Sequence, residues 1–91
     1  MSEVFDKIKL VVADKLTVDK EMIFLNTNFK NDFGADSLDV VEILVDIEQL
    51  FKVTIPDDKL EKIVTVGDAV SFVESVLTER ANQFYNGKQH Y

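Results

Sequence analysis

The sequence predicts an all-α domain of four helices, with a long loop between the first and second helices and a short third helix. Apolar residues recur at three- and four-residue steps in three separate stretches, which lays them along one side of a helix. The only proline, Pro56, stands where a helix can begin, because its missing N–H would have no intrahelical partner in a first turn.

In residues 3–16 the stripe is Val4, Phe5, Ile8, Val11, Val12 and Leu16, which defines the first helix. Residues 17–36 lose this period, and Asn26-Thr27-Asn28 and Asn31-Asp32-Phe33-Gly34 supply turn chemistry. A loop of that length is uncommon inside a compact domain unless it is functional or anchored. Ile23, Leu25, Phe29 and Phe33 are its candidate anchors, and a short helical turn is expected near residues 19–22. The second helix spans residues 37–51. Residues 52–55 form an extended link, since a residue preceding proline is pushed out of the α region, and the third helix covers residues 57–62. Thr65-Val66-Gly67-Asp68 has the Thr-x-x-acid spacing of an N-terminal cap. Val66, Ala69, Val70, Val73, Val76 and Leu77 then share one face of the last helix, which is expected to end near residues 78–82. Residues 83–91 are polar, contain Asn86-Gly87 and have no apolar period, so a flexible tail is expected after a single domain of residues 1–82.

With 46% hydrophobic and 30% charged residues, the 91-residue chain has the balance of a folded domain with one thin core. There is no cysteine, which removes disulfides, thiol nucleophiles and sulfur-ligated metals, and no metal site is expected. A net charge of −7 opposes nucleic-acid binding and favours basic partners. No apolar run approaches the roughly 20 residues of a bilayer span, and Met1-Ser2-Glu3-Val4-Phe5-Asp6 lacks a basic segment followed by an apolar one. The expectation is a cytoplasmic protein, or one of an organellar matrix if a leader was removed, without membrane insertion.

The second helix has two apolar sides. Val40, Ile43, Leu44, Ile47, Leu50 and Phe51 fall together and form its core face, whereas Leu38, Val41 and Val45 lie nearly opposite. Glu42, with Asp39 and Asp46 further round, borders the second stripe on one flank and Glu48 on the other, and no Lys or Arg interrupts the helix. An apolar stripe rimmed by charge of one sign can serve as a docking surface, the charge steering encounter and the apolar residues giving contact. Scattered surface apolars on a solvated face would look the same, and the pattern alone leaves both readings open.

Gly34-Ala35-Asp36-Ser37-Leu38-Asp39 lies where the loop meets this helix. Gly34 permits an unusual turn, and either Asp36 or Ser37 could be the N-cap. A serine at a helix start is ordinarily a cap. The positive end of the helix also tolerates an anion there.

At these residues the chain resembles the acyl carrier proteins of dissociated fatty-acid synthesis. Asp36-Ser37-Leu38, preceded by Gly34-Ala35 and followed by Asp39 and Glu42, is similar to their attachment motif. The likeness extends over the first helix, the loop with Phe29 and Asp32, Ile55-Pro56-Asp57 and Lys62-Ile63-Val64-Thr65-Val66, about residues 3 to 78. The resemblance implies a small four-helix bundle and a monomer. It implies a 4'-phosphopantetheine arm covalently attached to Ser37 between Asp36 and Leu38, and a chain that carries thioesters and catalyses nothing itself. It further implies that Leu38, Asp39, Val41, Glu42, Val45 and Glu48 meet partners: a phosphopantetheinyl transferase (the holo-carrier synthase), fatty-acid synthesis enzymes and acyltransferases with basic docking patches. Phe29, Ile47, Ile55, Ile63, Ala69 and Phe72 would line an acyl pocket. The chain departs from the family pattern at Phe33, Lys30-Asn31, Asp46 and Gln49, and Phe84, Tyr85 and His90 have no counterpart role.

Other chemistries fare poorly. A serine hydrolase needs a base, and the one histidine is His90, in the expected tail, while the sequence has no Gly-x-Ser-x-Gly elbow. A calcium loop ending on Glu42 would place Phe33 and Ala35 at ligand positions. A specialised polyketide or peptidyl carrier, and an acidic helical interaction module without a prosthetic group, remain as alternatives.

Overall fold

The computed structural model describes residues 3–89, with side chains described through Ala81. Its elements are α1 (Glu3–Leu16), a 3-10 turn (Lys20–Met22), α2 (Phe29–Phe33), α3 (Ser37–Phe51), α4 (Asp57–Leu60) and α5 (Val66–Gln89). The four expected helices are α1, α3, α4 and α5, and the expected turn near residues 19–22 is the 3-10 turn. What the sequence did not disclose is α2. Five residues are too few to show a helical period, and α2 depends on its ends. Asn28 Oδ1 accepts the N–H groups of Lys30 (3.0 Å) and Asn31 (2.9 Å), and Gly34 closes the helix at φ 66°.

α1 packs against both α3 and α5. Phe5, Ile8 and Val12 of α1, Val40, Ile43, Leu44 and Ile47 of α3, and Val66, Ala69, Val70 and Val73 of α5 are buried in one cluster with Ile23, Phe29, Ile55 and Ile63. The predicted stripes are buried or half-buried except at Leu50, which is exposed and lines an open depression between α1 and α3. Leu25 is a second correction. Its side chain is exposed, and its backbone does the anchoring instead.

The loop is strapped to the start of α5 by main-chain bonds. Phe29 N–H donates to Val64 O (3.2 Å), Val66 N–H to Thr27 O (2.9 Å) and Gly67 N–H to Leu25 O (2.7 Å). Buried Thr27 completes the strap, its hydroxyl accepting the Phe24 N–H at 2.8 Å. A Cβ at Gly67 would stand 2.7 Å from Leu25 O. Alanine is the better helix former by about 1 kcal/mol, but the obstacle is a backbone carbonyl that can move only if the strap opens. Gly67→Ala is therefore expected to be net destabilising by about 1–3 kcal/mol, to be read from urea unfolding. A stabilised variant would show that the strap yields freely.

Two ends differ from expectation. α4 stops two residues early, because Lys62 N–H bonds Lys59 O (3.0 Å) and Ile63 N–H bonds Leu60 O (3.3 Å), a tighter turn that leads Ile63 into the core. Its start at Asp57 is as expected, with Pro56 as the N-cap. α5 runs on to Gln89, past the expected end at residues 78–82, since neither proline nor a strong stop interrupts it. The side chains from Asn82 onward, those of Phe84, Tyr85 and His90 among them, lie outside the described residues, as do residues 90–91 of the expected tail.

The predicted cap of α5 is formed. Asp68 N–H donates to Thr65 Oγ1 (3.1 Å), and Asp68 Oδ2 accepts the N–H groups of Val64 (3.0 Å) and Thr65 (3.1 Å). Partial burial pushes the Asp68 carboxyl up, but these hydrogen bonds together outweigh it and hold it below its ordinary value of 3.8. A carboxyl lowered by folding stabilises fully above its unfolded value and loses that contribution as pH falls through the folded one. Asp68→Asn is thus expected to be less stable than the parent at neutral pH and to converge with it in acid. Parallel melting curves at every pH would contradict this. At the other end of α3, the Arg80 guanidinium donates to the carbonyls of Phe51 and Lys52, groups that the helix leaves unpaired.

Candidate functional site

The chain reverses between α2 and α3. Gly34 N–H donates to Lys30 O (3.0 Å) and Ala35 N–H to Phe29 O (3.1 Å), which buries the Ala35 methyl and brings Asp36 to the N-cap of α3. Asp36 Oδ1 accepts the Asp39 N–H at 2.9 Å, and Asp39 Oδ2 accepts the Asp36 N–H at 3.3 Å. This capping box decides between the two cap candidates. Because Asp36 caps the helix, the Ser37 hydroxyl is released from that duty and stands exposed at the first helical position. Lys30 Nζ donates to Ser37 Oγ at 3.1 Å. An ammonium cannot take the hydroxyl proton, so this contact does not make Ser37 a self-activated nucleophile.

Ser37 is at the mouth of a cavity of about 240 Å³. Its walls are Phe29, Val40, Leu44, Leu60 and Ile63, and its rim carries Lys30, Ser37, Val41, Glu61 and Val64. An exposed hydroxyl, a neighbouring cation and an apolar hole of this size suit a tether that ends in a phosphate and bears an apolar cargo.

Residues 6–73 match the family model described as a phosphopantetheine attachment site. The chain is 55% identical over 73 residues to the acyl carrier protein of Lactobacillus acidophilus, covering 80% of this chain and 91% of that one. The chain belongs to the acyl carrier protein family. Its fold agrees: the solved structure of the acyl carrier protein from Enterococcus faecalis is similar with a TM-score of 0.70 at 33% identity, over 80% of this chain and 92% of that chain. The family is one of carriers with a 4'-phosphopantetheine group, so an interaction module lacking a prosthetic group is set aside.

In this carrier the six residues expected to line the acyl pocket divide. Phe29 and Ile63 face the cavity, whereas Ile47, Ile55 and Ala69 are closed into the core and half-buried Phe72 packs against it. The cavity instead uses Val40, Leu44, Leu60 and Val64. Val40 and Leu44 were legible only as core, because periodicity gives the side of a helix and not whether its neighbours meet it closely. Lys30 was missed as a neighbour of Ser37. It was visible only as a departure from the family pattern, and α2 had to be known before residue 30 could be turned back toward residue 37.

The stripe on α3 is as exposed as expected: Leu38 is 65%, Val41 43% and Val45 40% accessible, with Glu42 in solvent beside them. Two of its acids have inward duties. Asp39 is spent on the capping box, and half-buried Glu48 accepts the Ile55 N–H at 2.7 Å, fastening the link after α3 to its last turns. Asp46 pairs with Lys15 of α1 at 3.1 Å, and this hydrogen bond is the main reason the Lys15 ammonium is held above its ordinary value. Among the described residues no helix is long and apolar enough to cross a membrane, and no acid or histidine cluster could hold a metal.

Proposed function

We propose that residues 1–82 carry the acyl groups of fatty-acid synthesis as thioesters on a 4'-phosphopantetheine arm joined to Ser37. The observation that supports this most directly is the release of the Ser37 hydroxyl from capping at the mouth of an apolar cavity, inside the segment that matches the attachment family. In a separate transferase, Ser37 Oγ attacks the β-phosphorus of coenzyme A. The new O–P bond replaces the pyrophosphate bond, adenosine 3',5'-bisphosphate leaves, and a base of the transferase takes the hydroxyl proton. The arm, once attached, supplies the thiol that forms the thioester.

The chain's own part is binding and presentation, and it catalyses no step. Phe29, Val40, Leu44, Leu60 and Ile63 withdraw the acyl chain from water. Leu38, Val41 and Val45 give partner enzymes an apolar contact, and Glu42 and the neighbouring acids steer basic patches toward it. The carrier acts as a monomer in the aqueous compartment that holds those enzymes, the cytoplasm or an organellar matrix.

Incubation with coenzyme A and a phosphopantetheinyl transferase is expected to add the mass of one phosphopantetheine to the parent chain and none to Ser37→Ala. Modification that persists in Ser37→Ala would move the site elsewhere. Mass spectrometry of protein from its native source reads the cargo: fatty acyl groups support the pathway proposed, and aminoacyl or polyketide groups replace it with a specialised one.

A further inference from the structure

We infer that Lys30 is a positioning residue for the prosthetic arm: its ammonium, which now bonds Ser37 Oγ, pairs with the phosphodiester that takes the place of the Ser37 proton and directs the arm toward the cavity mouth. This rests on attachment at Ser37. Lys30 Nζ is 3.1 Å from the oxygen that would become the ester oxygen, and the charged phosphate oxygens lie only one phosphorus atom beyond it. The residue is firmly rooted. Its N–H donates to Asn28 Oδ1 at 3.0 Å, and its carbonyl accepts the Gly34 N–H at 3.0 Å. Its side chain forms part of the cavity rim together with Ser37 and Val41.

The electrostatics calls for such a cation. A phosphodiester is anionic at every physiological pH, and at Ser37 it would be flanked in sequence by the Asp36 and Asp39 carboxylates. Those carboxylates are tied to each other's backbone N–H groups in the capping box, which fixes two negative charges beside the site. The helix start gives a partial positive charge along its axis, whereas Lys30 places a full one against the phosphate from the loop side. A charged donor on an anionic oxygen bonds more strongly than on a neutral hydroxyl, so the contact present on the bare serine strengthens when the arm is added. Because the pair is exposed, salt weakens it.

The test uses the full chain as Lys30→Gln, Lys30→Arg and parent, each in apo and phosphopantetheinylated form, with loading verified by mass. Phosphorus NMR reads the phosphodiester directly, and NOEs between the arm's geminal methyls and Val41, Leu60 or Val64 read its direction. In Lys30→Gln the phosphorus resonance is expected to shift and the arm-to-rim NOEs to disappear, while the apo melting temperature is unchanged. Lys30→Arg is expected to retain the parent pattern, and added salt to move the parent toward Lys30→Gln. The melting temperature of the loaded form, relative to apo, is expected to fall by about 1–5 °C in Lys30→Gln alone. A loaded Lys30→Gln with the parent's phosphorus resonance and NOEs overturns this inference and leaves the carrier reading intact. A parent chain that gains no arm at Ser37 overturns both.

Discussion

An acyl chain on the arm is expected to raise the melting temperature by about 3–6 °C for each methylene it buries, and the rise should stop once the cavity is full. Each buried methylene contributes about 0.8 kcal/mol, and 1 kcal/mol shifts the midpoint of a domain this size by about 4–8 °C. The ceiling follows from the cavity. At about 24 cal/mol per Å³ of filled void, 240 Å³ corresponds to about 6 kcal/mol, or about seven methylenes. The mouth is open at Ser37, Val41 and Val64, so the plateau should fall short of this value. Melting of the apo, holo and acylated forms over a series of chain lengths checks it. Longer chains would have to part Leu44 and Ile63 from the closed core behind them. A midpoint indifferent to acylation would show that cargo stays outside the bundle; one that climbs steadily beyond the plateau would show that Ile47, Ile55 and Ala69 open to receive it.

The second large effect is expected from Phe29→Ala. The ring is 1% exposed, walls the cavity and belongs to the core cluster, while its backbone ties α2 to Val64 and Ala35. Removing a buried aromatic side chain costs about 3–5 kcal/mol, against a total stability for a small domain of about 5 kcal/mol or somewhat more. A five-residue helix has no stability of its own, so α2 should be lost with the ring. Urea unfolding is expected to show a midpoint near zero denaturant or no cooperative transition, whereas Phe33→Ala, at a half-buried position, should cost much less. Equal costs at the two positions would mean that Phe29 does not anchor the loop.

The helix faces and the loop anchored by Phe29 differ in how far they could be read from sequence. The apolar stripes of α1, α3 and α5 repeat for three turns or more, and the predicted core residues of α3 are buried apart from Leu50 and half-buried Phe51. Leu50 failed because a helical wheel reports an angle and not whether a neighbour reaches the end of the helix. The exposed face of Leu38, Val41 and Val45 was equally legible, since a helix cannot bury two opposite sides in a bundle this small. The loop was not legible in the same way. Its order comes from main-chain bonds to Val64, Val66 and Gly67, and backbone groups leave no residue pattern except where a close approach excludes a side chain, as at Gly67.

For function the division is similar. The sequence by itself determined α1, α3, α4 and the start of α5, the acid-rimmed apolar stripe of α3 and, through Asp36-Ser37-Leu38, the likeness to the family's attachment motif. Only the tertiary structure decided that Asp36 takes the cap and frees the Ser37 hydroxyl, that the cavity beside it is walled by Val40, Leu44 and Leu60 rather than by Ile47, Ile55 and Ala69, and that Lys30 reaches Ser37. The physical reason is range. Periodicity is a contest among residues a few positions apart, whereas the choice of Asp36 over Ser37 as cap follows from how the loop enters α3, and a cavity and a cation at its mouth are set by how separate elements meet.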